Sequence, residues 1–168
     1  MDRYRQKIPG FTLVELMVTV AVIAVILVIG VPSIANMKRS GDLTTTSRNL
    51  VVALNFARAE AVRQGADITV ASKAGDTDTD FTTGWHVKSG ATVVRTYYDL
   101  PTGGSVTLTT GSAPITFAGL GNVAAFSCFD VSVAGTSAVR SVPISASGRV
   151  ATCRASCTAI AGDPTKCD

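Results

Sequence analysis

Residues 10–32 read GFTLVELMVTVAVIAVILVIGVP, and this stretch decides the fold. Leu16–Val31 contains no charged residue, and Thr19 is the only hydroxyl side chain within it. With Phe11–Leu13 in front, the run is long enough to cross a bilayer as a helix. An ordinary secretory signal peptide is the alternative interpretation, and it would be cleaved after the apolar run.

Two features argue against a cleaved signal peptide. The carboxylate of Glu15 interrupts the start of the run, and an ionised Glu in hydrocarbon costs several kcal/mol. The helical pattern also continues beyond the run instead of breaking at a cleavage site. The basic residues Arg3, Arg5 and Lys7 precede the run and predict a cytoplasmic amino end, with the rest of the chain across the membrane.

The segment Gly10-Phe11-Thr12-Leu13-Val14-Glu15 resembles the processing site of type IV prepilins. The resemblance implies that a prepilin peptidase cleaves between Gly10 and Phe11, and that the new amino-terminal Phe11 is methylated. In a filament, the carboxylate of Glu15 is then expected to pair with the Phe11 ammonium of its own or a neighbouring subunit. Burying both charges unpaired would be costly, so this pairing would select the axial register.

The helical pattern continues from Ser33 to Gln64, after a bend or loosening expected at Pro32, which lacks an N–H. One predicted face carries apolar residues at helical spacing: Leu43, Leu50, Leu54, Ala57 and Ala61. Gly65 is the predicted stop. A helix over 11–64 would be roughly 80 Å long at about 1.5 Å per residue, too long for a compact domain.

Beyond Gly65, short alternating or apolar runs predict strands separated by turns. The predicted strands are Asp67–Ser72, Gly84–Lys88, Val93–Tyr98, Ser105–Thr109, Ile115–Phe117, Phe126–Val133, Ser141–Ser145 and Arg149–Cys153. The fold class is therefore α+β: a long amino-terminal helix, transmembrane and then amphipathic, with an antiparallel β-sheet head, the pilin fold. We expect a leader over 1–10, a membrane and assembly half over 11–32, an amphipathic half over 33–64 and a head over 65–168.

Several segments of the predicted head narrow the family. Residues 56–65, FARAEAVRQG, are similar to the end of the long helix in minor pilins and pseudopilins of the GspH/FimT group. Gly84–Val87, Ile115–Phe117 with the glycines after it, and Ser147–Val150 follow in the order that this group has. The resemblance covers most of the chain.

All four cysteines lie in the last third of the sequence: Cys128, Cys153, Cys157 and Cys167. They contain no Cys-x-x-Cys pair, and the single histidine, His86, is distant, so disulfides are favoured over a zinc site. Four cysteines allow three pairings, among which sequence alone does not choose. We predict Cys128–Cys153, joining two strands, and Cys157–Cys167, closing a short loop.

Arg149, Arg154 and Lys166 form a basic carboxyl-terminal segment. Some FimT-like pilins that take up DNA carry Gly-Arg-x-Arg in this region, but here Ala151 replaces the second Arg. The three cations are candidate phosphate-binding residues for DNA if the segment folds back on itself. The alternative, favoured by the broken motif, is a solvated strand end.

No pattern in the sequence indicates an enzyme, a cofactor site or a metal site. Trp85 and His86 are expected to be structural residues of a strand, and no nucleophile or phosphate-loop motif occurs. The net charge of +3 is concentrated in the leader, so no general polyanion-binding surface is predicted.

The sequence thus predicts a non-enzymatic minor pilin of a type IV pilus. Its expected partners are other major and minor pilins, the prepilin peptidase, the inner membrane and, through the basic segment, DNA. It is expected to cross the bacterial inner membrane once, with a periplasmic head, before it enters the filament. A pseudopilin of a type II secretion system and a pilus-displayed DNA receptor for natural transformation are the alternatives.

Overall fold

The computed structural model describes residues 10–97, 100–160 and 167, the side chains of residues 29–32 excepted. The predicted leader residues 1–9 and Lys166 lie outside the described residues. The long helix α1 (Leu13–Gln64) contains 52 residues, and its backbone is helical through Pro32. The chain divides into two compact units, the first ending at Met37 and the second beginning at Lys38.

Helix α1 ends where the sequence predicted its end. Gly65 has a φ of +61°, a left-handed conformation that glycine adopts without strain, and the N–H of Ala66 donates to the carbonyl of Ala61 at 3.3 Å. The backbone therefore turns away from the helix axis directly after Gln64 and enters the first strand within a few residues.

The second unit contains two antiparallel sheets. The strands are β1 (Ile68–Ser72), β2 (Trp85–Ser89), β3 (Thr92–Tyr97), β4 (Gly104–Thr110), β5 (Ile115–Phe117), β6 (Ser127–Val133) and β7 (Val139–Ile144), and a short helix α2 (Cys157–Ile160) follows. One sheet has the order β3-β2-β1-β5 and the other β4-β6-β7. The long helix followed by antiparallel sheets confirms the predicted α+β class.

The core of the second unit lies between α1 and both sheets. The predicted apolar face of the helix is buried, and it includes Leu50, Leu54 and Ala57, each fully inaccessible to solvent. Inward-facing residues of the strands complete the same cluster, among them Val70 and Phe129. Because the helix supplies one wall of this core, residues 38–64 belong to the same compact unit as the sheets of the head.

The predicted strand Arg149–Cys153 is wrong. This segment lies antiparallel to β7, but among the described residues it forms two isolated bridges and no ladder, Ile144 with Val150 and Ser141 with Cys153. Ala151 donates to the carbonyl of Pro143 at 3.1 Å, and Pro143 has no N–H to return the bond. The ladder is interrupted at that point, which is why no regular strand forms.

The predicted disulfide pairing is also wrong. The disulfides are Cys128–Cys157, with 5.8 Å between the Cα atoms, and Cys153–Cys167, with 4.8 Å. Strand β7 lies between Cys128 and Cys153, which were predicted to pair. Ser141 of β7 pairs with Asp130 of β6 on one side and with Cys153 on the other. Two strand spacings of roughly 9–10 Å, together with an offset of two residues along the strands, separate Cys128 from Cys153, which is too far for the predicted bond.

The disulfides belong to a small second core on the outer face of the β4-β6-β7 sheet. Cys128, Cys153, Cys157 and Ile160 are buried together, with Phe126 packed against them. The carboxylate of Asp130 accepts hydrogen bonds from Cys157 N at 2.8 Å and from Thr109 Oγ1 at 2.9 Å. The carboxyl-terminal segment is thereby fixed against β6.

Candidate functional site

The amino-terminal segment begins with a helix cap. Thr12 precedes α1, and its Oγ1 accepts a hydrogen bond from the backbone N–H of Glu15 at 3.2 Å. Thr-x-x-Glu is the pattern of a capping box, in which the Glu side chain can return a bond to the cap residue. Glu15 therefore has a local structural role available to it besides the predicted charge pairing. The Thr12-x-x-Glu15 spacing is the sequence signal for this cap, and it was not among the predicted features.

The amino-terminal part of α1 exposes apolar side chains on every face. Each large apolar side chain from Phe11 to Val28 is at least 53% exposed. An 18-residue window of α1 has a mean hydropathy of 2.9, which by length and composition alone is enough to cross a membrane. This surface is far larger than the apolar patches that soluble monomers expose.

Arg58 joins three segments of the second unit that are distant in sequence: helix α1, the turn at Gly121 and the turn at Ser147. Its Nε donates to the carbonyl of Gly121 at 3.0 Å, and its Nη2 donates to the carbonyl of Ser147 at 3.1 Å. Gly148 has a φ of +76°, and a Cβ added there would lie 1.9 Å from the Gly121 carbonyl oxygen. Gly148 thus serves close packing, an explanation for Ser147-Gly148-Arg149 that requires no ligand.

The basic carboxyl-terminal residues lie apart. Arg149 lies opposite Ser145, and Arg154 directly follows the bridge between Cys153 and Ser141. Arg149 and Arg154 are exposed and five residues apart along an extended segment, roughly 16 Å at about 3.3 Å per residue. The structure therefore does not bring these two candidate phosphate-binding residues together, and Lys166 is outside the described residues.

Trp85 and His86 have structural surroundings. Trp85 is 2% exposed and stacks on Tyr97 with 5.9 Å between ring centroids. His86 Nδ1 lies 3.1 Å from Thr96 Oγ1 across the β2–β3 pair. Desolvation, followed by the charges of Lys88 and Lys73, lowers the pKa of His86 below its usual value, so the ring is neutral near pH 7. Among the described residues, no cluster of His, Cys, Asp and Glu suits a metal ion.

The amino-terminal segment defines the class of protein. The description "Prokaryotic N-terminal methylation motif" applies to the family model that matches residues 5–31. Together with the apolar helix and the sheet-containing head, this match makes the chain a pilin-type subunit.

The head defines the family. The family model "Type II transport protein GspH" matches residues 46–148, more than half of the chain. The chain therefore belongs to the GspH family, as the resemblance of its head segments predicted. No curated protein sequence matches it closely enough to count as a relative.

Two solved structures have a similar fold. Both are crystal structures of the type IV minor pilin FimU from Pseudomonas aeruginosa strain PAO1, in different space groups. The first has a TM-score of 0.59 and 22% identity, over 68% of this chain and 90% of the other. The second has a TM-score of 0.56 and 21% identity, over 65% and 90%. The predicted pilin fold is thereby confirmed.

Proposed function

We propose that this chain is a minor pilin of a type IV pilus, a structural subunit without catalytic activity. The single observation that carries the proposal is the apolar surface of residues 11–28, exposed around the whole helix. Such a surface requires lipid or other apolar helices around it. Before assembly, the lipid of the inner membrane surrounds this helix and the head lies in the periplasm. In the filament, the apolar helices of neighbouring subunits surround it instead.

Processing by a prepilin peptidase precedes assembly in this proposal. The peptidase cleaves between Gly10 and Phe11, and the amino group of Phe11 is then methylated. The methylation-motif match over residues 5–31 supports both steps. The domain organisation then consists of the leader 1–10, the anchor 11–32, the amphipathic half 33–64 and the head 65–168.

Glu15 then acts in assembly through its charge. Its carboxylate lies one turn from Phe11, close to the positive end of the helix dipole. Pairing with the Phe11 ammonium of its own or a neighbouring subunit would offset the cost of placing either charge in an apolar environment. The Thr12 cap offers a competing explanation, because a capping box also favours Glu at this position.

A pair of substitutions separates charge pairing from capping. Gln serves as well as Glu in a capping box but has no charge, so charge pairing predicts that Glu15→Gln and Glu15→Ala both lose incorporation into sheared filaments. Membrane levels and leader cleavage are the controls, and both should stay at wild-type values. Normal incorporation of Glu15→Gln with loss in Glu15→Ala would assign Glu15 to capping and refute the charge pair.

A type II secretion pseudopilin is the principal alternative, since the family model carries that description. The similarity to a type IV minor pilin supports the pilus. Deletion of the gene in its native host separates the two. Loss of surface pili and of the epitope-tagged subunit from sheared filaments is the expected result. Normal pili with loss of secreted enzymes would instead assign the chain to a secretion system.

DNA binding stays a prediction. Arg149 and Arg154 are exposed, but their separation favours independent, weak phosphate contacts over one converging patch. The test is electrophoretic retardation of duplex DNA by the full chain in detergent at low and moderate salt. The receptor hypothesis requires binding that Arg149→Ala with Arg154→Ala abolishes and that Arg48→Ala, an exposed helix arginine, leaves intact. No retardation at low salt would eliminate it.

A further inference from the structure

A pocket in the second unit combines two arginines with several hydroxyl groups. It has a volume of about 430 Å³. Its walls are the part of α1 around Ser40 and Leu43, the segment that leads into β7, and the segment after Cys153. Its polar lining consists of Ser40, Ser137, Arg140, Arg154 and Ser156, and the core residue Leu43 is also part of the wall. The lining residues that the structure describes include no Asp or Glu.

The register of the backbone places the two arginines against each other. Ser141 and Cys153 exchange two backbone hydrogen bonds, at 3.1 Å and 2.8 Å, so their neighbours Arg140 and Arg154 lie beside this bridge, and both line the pocket. Like charges at such positions repel each other and destabilise the pairing.

No ion pair offsets this repulsion within the described part of the chain. Neither arginine takes part in an ion pair there, and Arg140 Nε is buried without a hydrogen-bond acceptor. Asp130, the nearest carboxylate on the neighbouring strand, faces the other side of the sheet, where Cys157 N and Thr109 Oγ1 occupy both its oxygens. A buried guanidinium N–H without an acceptor is unusual, and it indicates that a hydrogen-bond acceptor binds there.

The wall that carries Arg154 is fixed in place. Residues 154–156 lie between Cys153 and Cys157, and each of these cysteines is held by a disulfide. On the other side, Arg39 of α1 donates to the carbonyl of Gly135 at 3.2 Å and ties the segment before β7 to the helix. The two arginines are thus held together in the absence of any ligand, which favours binding because little ordering is required.

We propose that this pocket binds a phosphate-type oxyanion between Arg140 and Arg154, with the serine hydroxyls as additional donors. The planar guanidinium groups suit the geometry of phosphate oxygens, and the anion removes the repulsion between the arginines. This inference does not depend on the pilus assignment. The ligand is a free phosphate or the phosphate of a lipid headgroup, and the chemistry is the same for both.

The experiment measures inorganic phosphate binding to the full chain in detergent by calorimetry and by the shift in unfolding temperature, with NaCl holding ionic strength constant. The expected result is saturable binding that Arg140→Gln and Arg154→Gln each weaken about tenfold to a hundredfold, the usual effect of losing one charge-assisted contact. Arg48→Gln removes an equal charge from an exposed site outside the pocket and should bind like the wild type.

Two results would overturn the proposal: phosphate that acts no differently from chloride, or equal loss in all three variants. Arg154 is exposed, so Arg154→Gln should fold normally, and its unfolding temperature without phosphate verifies this. Soluble short-chain phosphatidylglycerol, with phosphatidylcholine as the neutral comparison, identifies the source. If phosphatidylglycerol displaces phosphate and phosphatidylcholine does not, the ligand is a lipid headgroup. If neither lipid displaces phosphate, the ligand is free phosphate.

Discussion

Residues 13–28 and 43–61 are parts of one helix, yet their apolar side chains have opposite surroundings. In the first stretch apolar residues lie on all faces and are exposed, whereas in the second they form one stripe that packs into the core of the head. The difference follows from composition: an all-apolar helix suits a uniformly apolar solvent, and a one-sided helix suits a protein surface. The same secondary structure thus serves two kinds of environment.

Matched leucine substitutions test this comparison with the largest expected effect. Leu54 is fully buried and Leu16 is 58% exposed. Leu54→Ala should lower the free energy of unfolding of the head by about 2–5 kcal/mol, because it leaves a cavity. Leu16→Ala should leave it unchanged. Denaturant unfolding of the full chain in detergent, followed by the fluorescence of the single tryptophan, Trp85, measures both. Equal losses would contradict the division of the helix.

Glycine substitutions sharpen the comparison inside the head. Gly148→Ala should cost about 1–2 kcal/mol for the left-handed backbone and about 1–3 kcal/mol more for the contact with the Gly121 carbonyl. Gly90→Ala is the control, since Gly90 has a φ of +57° but open space around it. It should carry the backbone cost alone. The same fluorescence measurement applies. Equal losses of unfolding free energy in the two variants would show that the backbone around Gly121 and Gly148 moves apart at little cost, and would contradict the tight contact.

Local patterns in the sequence predicted a large part of the fold. The helix end at Gln64, the buried helix face and strand β5 follow from periodicity and glycine placement, which act over a few residues. The methylation motif and the head segments indicated the family in the same way.

The errors arose where long-range register decides. Cys128 does not pair with Cys153 because strand β7 lies between them. The predicted strand Arg149–Cys153 does not form because Pro143 of the neighbouring β7 has no N–H to donate. The pocket between Arg140 and Arg154 was missed for the same reason, because the two residues are distant in sequence and meet only through the Ser141–Cys153 bridge. The Arg58 contacts likewise join loops that no local pattern connects.

The end of the helix provides the smallest predicted effect. Hydrogen bonds from Arg63 and then Gln64 lower the pKa of Glu60 from 4.5 to about 2. Because the folded pKa is the lower one, the stabilisation is complete above about pH 4.5 and is lost as the pH falls towards 2. Glu60→Gln should flatten this part of the stability profile, and it should lower the stability at pH 7 to about the level that the wild type reaches near pH 2. Arg63→Gln should reduce the same slope, and a wild-type slope in both variants would contradict the assignment.

The amino terminus of the mature protein tests the central claim that the apolar half of α1 is a retained pilin anchor. Intact-mass and amino-terminal peptide analysis of the protein purified from membranes of its native host measures it directly. We predict a chain that begins at Phe11 with one methyl group on its amino nitrogen and retains residues 11–32. A mature chain that begins beyond Val31 would contradict it, because the apolar run would then be a removed secretory signal.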